Sequence, residues 1–190
     1  MLFRVSRVAA LAACGLGLAA CQLDPPKPAA PVKKPPAPDY AMAVSLGAPP
    51  ANLRAICFTD AEIAQIRARM AQQELSVGTL QCQLPGGGRA LQSQYESFVA
   101  KFNSELATNA RATTAALQRR RMNFNSVITE MANRTAQRAQ TDPQFCDRKQ
   151  RALEWGNSPQ VDSLTQVPPP YDLGPEMNIW ACEPQKAQAN

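Results

Sequence analysis

Residues 58–80 read FTDAEIAQIRARMAQQELSVGTL, and this stretch decides the fold class. Thr59, Asp60, Ala61 and Glu62 fit a capping box, with Thr59 as N-cap and Glu62 at N3 reaching back. Phe58 and Ile63 are spaced to close a hydrophobic staple across that start. Apolar residues then recur at Ile63, Ile66, Met70, Val77 and Leu80, which predicts a first helix over about 60–80. Pro85 followed by Gly86, Gly87 and Gly88 ends it. That glycine run lacks the Lys-Ser/Thr of a phosphate-binding loop and follows no strand pattern, so it reads as a break.

Working outward, Tyr95, Phe98, Val99, Phe102, Leu106, Thr113 and Leu117 fall at helical spacing and predict one long helix over about 90–120. A third is predicted over about 123–140, with Phe124, Val127, Ile128 and Met131 on one face. The sequence leaves open whether Met122 and Asn123 mark a break or a kink. Thr141, Asp142 and Pro143 predict the start of a fourth helix, with Pro143 at its first position, running through Phe145, Lys149, Ala152 and Leu153 to Gly156 and Asn157. No strand-like alternation is visible. The expected fold is all-α: a small disulfide-stapled bundle of three to four helices, with a Pro-rich N-terminal tether and an irregular C-terminal tail.

The expected organisation is a signal peptide at 1–20, a lipid anchor and linker at 21–51, a helical domain at 52–157 and a packed tail at 158–190. Arg4 and Arg7 precede an apolar run from Val8 to Ala20, too short to span a bilayer and typical of a secretory signal. It ends in Leu18, Ala19, Ala20 and Cys21, which resembles the lipobox of bacterial lipoproteins. The resemblance implies that Cys21 is lipidated and becomes the mature N-terminus. Two or three acyl chains anchor far more durably than one. Gln22, where an Asp favours inner-membrane retention, points to an outer-membrane lipoprotein facing the periplasm. Nine prolines between Gln22 and Pro50 exclude helix and sheet there and predict a semi-rigid tether. Tyr171, Ile179 and Trp180 in the Pro-rich tail are expected to cover a side of the bundle.

Beyond Cys14 and Cys21, four cysteines remain at 57, 82, 146 and 182. An even number in an oxidising compartment predicts two disulfides. Without histidine or a Cys-x-x-Cys pair, no zinc site is expected. About 30 Å of helix separates Cys57 from Cys82, too far for a bridge. Two connectivities survive: 82–146 with 57–182, which is favoured, and 57–146 with 82–182.

The absence of histidine removes the commonest general base and every His-dependent triad. No catalytic site and no cofactor is expected. Glycan cleavage by paired carboxylates is the alternative, with Glu96, Glu105, Glu130 and Glu154 as candidates. Lys101 to Arg151 holds ten basic residues against four acidic ones, a net +6, and Arg119, Arg120 and Arg121 are its densest spot. That triplet is the candidate surface for an anionic envelope protein or cell-wall component. Nucleic acid is excluded as a partner by compartment. The Phe98-Val99 helix, the Asn-rich third helix and the Phe145-Cys146 pair give the mature part a resemblance to uncharacterised proteobacterial periplasmic helical proteins, which implies no activity. The reading from sequence is thus a non-enzymatic envelope lipoprotein.

Overall fold

The computed structural model describes residues 34–41, 49–171 and 173–182. The expected signal peptide, Cys21, Gln22 and residues 23–33 and 42–48 of the expected tether lie outside them. In chain order the elements are β1 (Ile56–Phe58), α1 (Asp60–Gln81), α2 (Gln92–Lys101), α3 (Asn103–Arg119), α4 (Phe124–Thr141), α5 (Phe145–Asn157), a 3-10 turn (Leu164–Gln166), α6 (Leu173–Met177) and β2 (Ile179–Ala181). Among the described residues the protein is mostly helical, as expected, with six helices where three to four were expected.

Helix α1 is central, packing against α2, α3, α4 and α5. Its start is the predicted one: Thr59 Oγ1 accepts from Glu62 N–H at 3.3 Å, and Glu62 Oε2 accepts from Thr59 N–H at 2.9 Å. One face carries Ile63, Ile66 and Met70 into a core with Phe58, Leu117, Met131, Leu173 and Ile179. Another face carries Ala68, Ala71 and Leu75 into a second core with Phe98, Phe102, Phe145, Leu153 and Leu164. A helix buried on two sides shows no single apolar stripe. Leu80, placed on the buried face by spacing, is instead exposed.

The predicted long helix is broken at Phe102, whose φ of −104° and ψ of 16° part α2 from α3. The break has a packing reason. Phe98 and Phe102 of the run belong to one core, Ala116 and Leu117 to the other. Asn103 and Ser104, which compete with helix backbone, follow it directly. Lys101 Nζ donates to the carbonyls of Gly156 at 2.9 Å and Ser158 at 2.7 Å, tying the end of α2 to the end of α5.

Between α3 and α4 the chain breaks fully. Met122 N–H bonds Leu117 O at 3.0 Å and Arg121 N–H bonds Gln118 O at 2.9 Å, with Arg121 at φ 57°. This is a Schellman stop, with arginine in the left-handed position that glycine usually fills. Asn123 then caps α4 by accepting from Ser126 N–H at 3.0 Å. Helix α5 begins at Phe145, two residues later than expected. Asp142 Oδ1 accepts from Gln144 N–H at 3.0 Å, an Asx turn that occupies the would-be first turn.

Among the described residues the tail packs on the domain along a mostly irregular path, as expected, but it also carries the 3-10 turn, α6 and β2. It supplies both cores: Val161, Leu164 and Val167 to one, Tyr171, Leu173 and Ile179 to the other. Tyr171, Ile179 and Trp180 are buried. Asn178, at φ 56°, stops α6 and turns the chain into β2, its side chain donating to Arg54 O and accepting from Trp180 Nε1. Strand β2 then pairs with β1 in parallel, in the register Ile56 to Ile179, Cys57 to Trp180 and Phe58 to Ala181. These three-residue strands are too short to leave a period-two signal.

Cys57 bonds Cys182 and Cys82 bonds Cys146, with Cα separations of 4.6 and 5.6 Å. This is the favoured connectivity. Each bridge serves a different core: Cys82 is a member of the one around Phe98, and Cys57 precedes Phe58 of the other.

Candidate functional site

The arginine triplet sits where α3 stops, and its members have different work. Arg120 pairs with Glu62 Oε2 at 2.5 Å, donates through Nε to Cys57 O at 2.9 Å and stacks over the Phe58 ring at 4.3 Å. It therefore locks the start of α1 to the end of α3. Arg119 also pairs with Glu62 but keeps its side chain 59% exposed. Arg121 is exposed. The three do not form one free cationic patch. Partial burial pushes the Glu62 carboxyl up, but Arg120, Arg119 and the Thr59 N–H outweigh it and hold Glu62 down at about 2.

Beside this turn lies an open groove of about 590 Å³ between α4 and the α6 segment. Leu53, Met122, Val127 and Met177 give it an apolar lining, and Glu130, Arg134 and Glu176 line it as well. Arg134 bridges the two carboxylates, with Nε 2.8 Å from Glu130. Methionine surfaces of this kind adapt to a partner's shape.

The four glutamates proposed from sequence are not brought together by shared bonds. Glu96 accepts from Gln92 at 2.6 Å. Glu105 accepts from Ser163 Oγ at 2.6 Å and from Leu164 N–H at 3.0 Å, holding the 3-10 turn. Glu130 pairs with Arg134, and Glu154 with Arg151. Glu130 meets a second carboxylate, Glu176, only through Arg134.

A charge site that spacing did not single out lies inside the molecule. Glu74, 3% exposed on α1, accepts from Thr135 Oγ1 at 2.5 Å and Arg138 at 2.8 Å, and pairs with Lys149 Nζ at 2.5 Å. Arg138 lies over the Tyr171 ring at 4.0 Å, and Lys149 over the Phe145 ring at 4.8 Å. Burial pushes Glu74 up, but the charges of Lys149 and Arg138 and their bonds hold it below the usual carboxylate range. For Lys149, burial dominates and pulls the ammonium down against the attraction of Glu74. The signal in sequence was a carboxylate among Met70, Ala71, Leu75 and Val77, with Lys149 on the apolar face of the fourth helix. This arrangement ties α1, α4 and α5 together.

The cysteines at 57, 82, 146 and 182 are all bonded to one another, so none is a thiolate ligand or nucleophile. Compared with known proteins, the chain matches no family model, no curated protein and no solved structure.

Proposed function

We propose that this protein is a non-enzymatic envelope lipoprotein, anchored to the outer membrane through Cys21 and presenting a periplasmic interaction or structural module. The observation that carries the reading is the joint pattern of the two ends of the chain. A secretory signal ending in Leu18, Ala19, Ala20 and Cys21 precedes a body closed by the 57–182 and 82–146 disulfides. Disulfides of this kind persist where thiols are not kept reduced. The contact face is the α3–α4 turn, where Arg119 and Arg121 are exposed and Arg121 is followed directly by Met122 of the groove. Its partner is an envelope protein or cell-wall component.

Crosslinking in intact cells, with the tagged lipoprotein as bait and mass spectrometry as readout, tests this. One dominant envelope partner, lost when Arg119 and Arg121 are reversed to Glu, is expected. Separately, Cys21→Ser should release the protein from membranes, and continued outer-membrane fractionation would refute the anchor. The rival reading, a cell-wall hydrolase, now rests on Glu130 and Glu176 beside the groove. Release of soluble fragments from purified peptidoglycan, abolished by Glu130→Gln, would replace the first reading with the second.

A further inference from the structure

A piece of the Pro-rich stretch, residues 35–41, is seated on the helical domain. Pro35 to Ala41 lies against α5, with a turn closed by Ala41 N–H to Pro38 O at 3.1 Å. Arg151 holds Asp39, its Nη2 lying 3.0 Å from Oδ1 and 3.1 Å from Oδ2. The same nitrogen donates to Pro35 O at 3.0 Å. Next to this clamp, Tyr40 packs against the Phe98 core, at a pocket lined by Ala71, Leu75, Phe145, Ala152, Val167 and Pro168. The Tyr40 hydroxyl has no protein hydrogen-bond partner, so the ring is held by packing.

Two recognition elements of different chemistry therefore stand side by side: the Arg151 guanidinium, which Asp39 shares with Glu154, for a carboxylate, and a mainly apolar slot, with Glu74, Arg138 and Lys149 also on its wall, for a ring. We infer that this seat is a peptide-binding site that reads an aspartate followed by an aromatic residue, and that Pro38-Asp39-Tyr40 is its resident, displaceable occupant. The charged half of this seat exchanges readily with water. Asp39 keeps 45% of its side chain exposed, and an exposed ion pair contributes little against water and salt. The partner is a protein segment offering the same Asp-aromatic pair. Its binding would free the resident segment and lengthen the domain's reach from the anchor by up to about 3.1 Å per released residue. The peptide-binding step goes beyond the proposed function and is tested on purified protein, independently of the anchor; only the change of reach rests on that reading.

The probe is the labelled seven-residue peptide Pro-Pro-Ala-Pro-Asp-Tyr-Ala, copied from 35–41, titrated into the full chain in detergent. Wild type should bind it weakly, because the seat is occupied. Tyr40→Ala should bind it at least about tenfold more tightly, the gain expected when a site nine-tenths closed is opened. Tyr40→Phe should behave as wild type, since the hydroxyl has no protein partner. Adding Arg151→Glu to Tyr40→Ala should abolish binding, as should a peptide carrying Lys in place of the aspartate. Equal binding by wild type and Tyr40→Ala would overturn the inference. So would no binding by a Tyr40→Ala protein whose melting temperature matches wild type, or binding indifferent to Arg151.

Discussion

Lys149 reaches Glu74 by crossing α1 over Gly78. A Cβ at Gly78 would lie 2.8 Å from Lys149 Cγ and 3.2 Å from its Cδ, closer than side chains tolerate. The Lys149 head is pinned at 2.5 Å on Glu74, so its stem has no room to retreat. Gly78→Ala, normally helix-stabilising, should here cost about 1–3 kcal/mol, read from urea unfolding. A neutral or stabilising result would mean that the lysine stem is not confined.

The Glu74–Lys149 pair itself should be strongly coupled. Glu74→Leu leaves Lys149 and Arg138 without their anion inside the protein and should cost about 3–5 kcal/mol. Lys149→Met should cost less, because Glu74 keeps Arg138 and Thr135. The double variant should be more stable than the sum of single losses predicts, since an apolar pair removes both burial penalties. Additive losses in a double-mutant cycle would show that the two charges act independently.

The start of α1 was legible to the residue because capping is local chemistry: Thr59, Glu62, Phe58 and Ile63 meet within one turn. The disulfide pairing was legible in part: a straight helix keeps Cys57 from Cys82 and excludes that bridge, but both remaining pairings pass this test, and only the packed structure selects 57–182 with 82–146. What was hidden depends on long-range packing. Nothing local at Phe102 reveals that the run must serve two cores, and the tail's Val161, Leu164 and Leu173 show no period because they are single plugs along an irregular path. Within the arginine triplet, the role of Arg120 was hidden for a related reason. Its charge was visible, but the carboxylate that engages Arg120 lies 58 residues away in sequence.

Glu62 makes the α1–α3 junction sensitive to acid. Its folded carboxyl titrates at about 2, below the ordinary value of 4.5, so the folded state binds fewer protons than the unfolded state between them. Its contribution is complete above about pH 5 and disappears as pH falls through that interval. Glu62→Gln should cost about 1–2 kcal/mol near neutrality, the worth of exposed charged hydrogen bonds. The melting-temperature gap between wild type and Glu62→Gln should therefore narrow steadily from about pH 5 towards pH 2. A gap unchanged over that range would remove Glu62 from the junction's energetics.

The two disulfides should be separable in effect. Cys57–Cys182 closes a span of 125 residues and Cys82–Cys146 one of 64. In the chain-entropy account each contributes about 2–5 kcal/mol, the longer loop slightly more. Replacing Cys57 and Cys182 by Ser should preferentially expose the β1–β2 pair to hydrogen exchange. Replacing Cys82 and Cys146 should expose the α1–α5 contact. Identical exchange profiles for the two variants would refute a division of labour between the bridges.

Arg121 carries the sharpest test of the contact face. It occupies the left-handed position of the α3 stop at φ 57°, where a side chain costs about 1 kcal/mol or more relative to glycine. Unlike Arg120, it is not part of the Glu62 clamp. Arg121→Gly should therefore stabilise the domain, by roughly 0.5–1 kcal/mol in chemical unfolding. If strained backbone is retained here for the sake of the charge, the same variant should lose partner capture in the crosslinking experiment. Arg121→Lys, which keeps charge and strain together, should retain capture with no gain in stability. A glycine variant that is more stable and captures its partner normally would separate the arginine from function and leave the groove alone as the contact face.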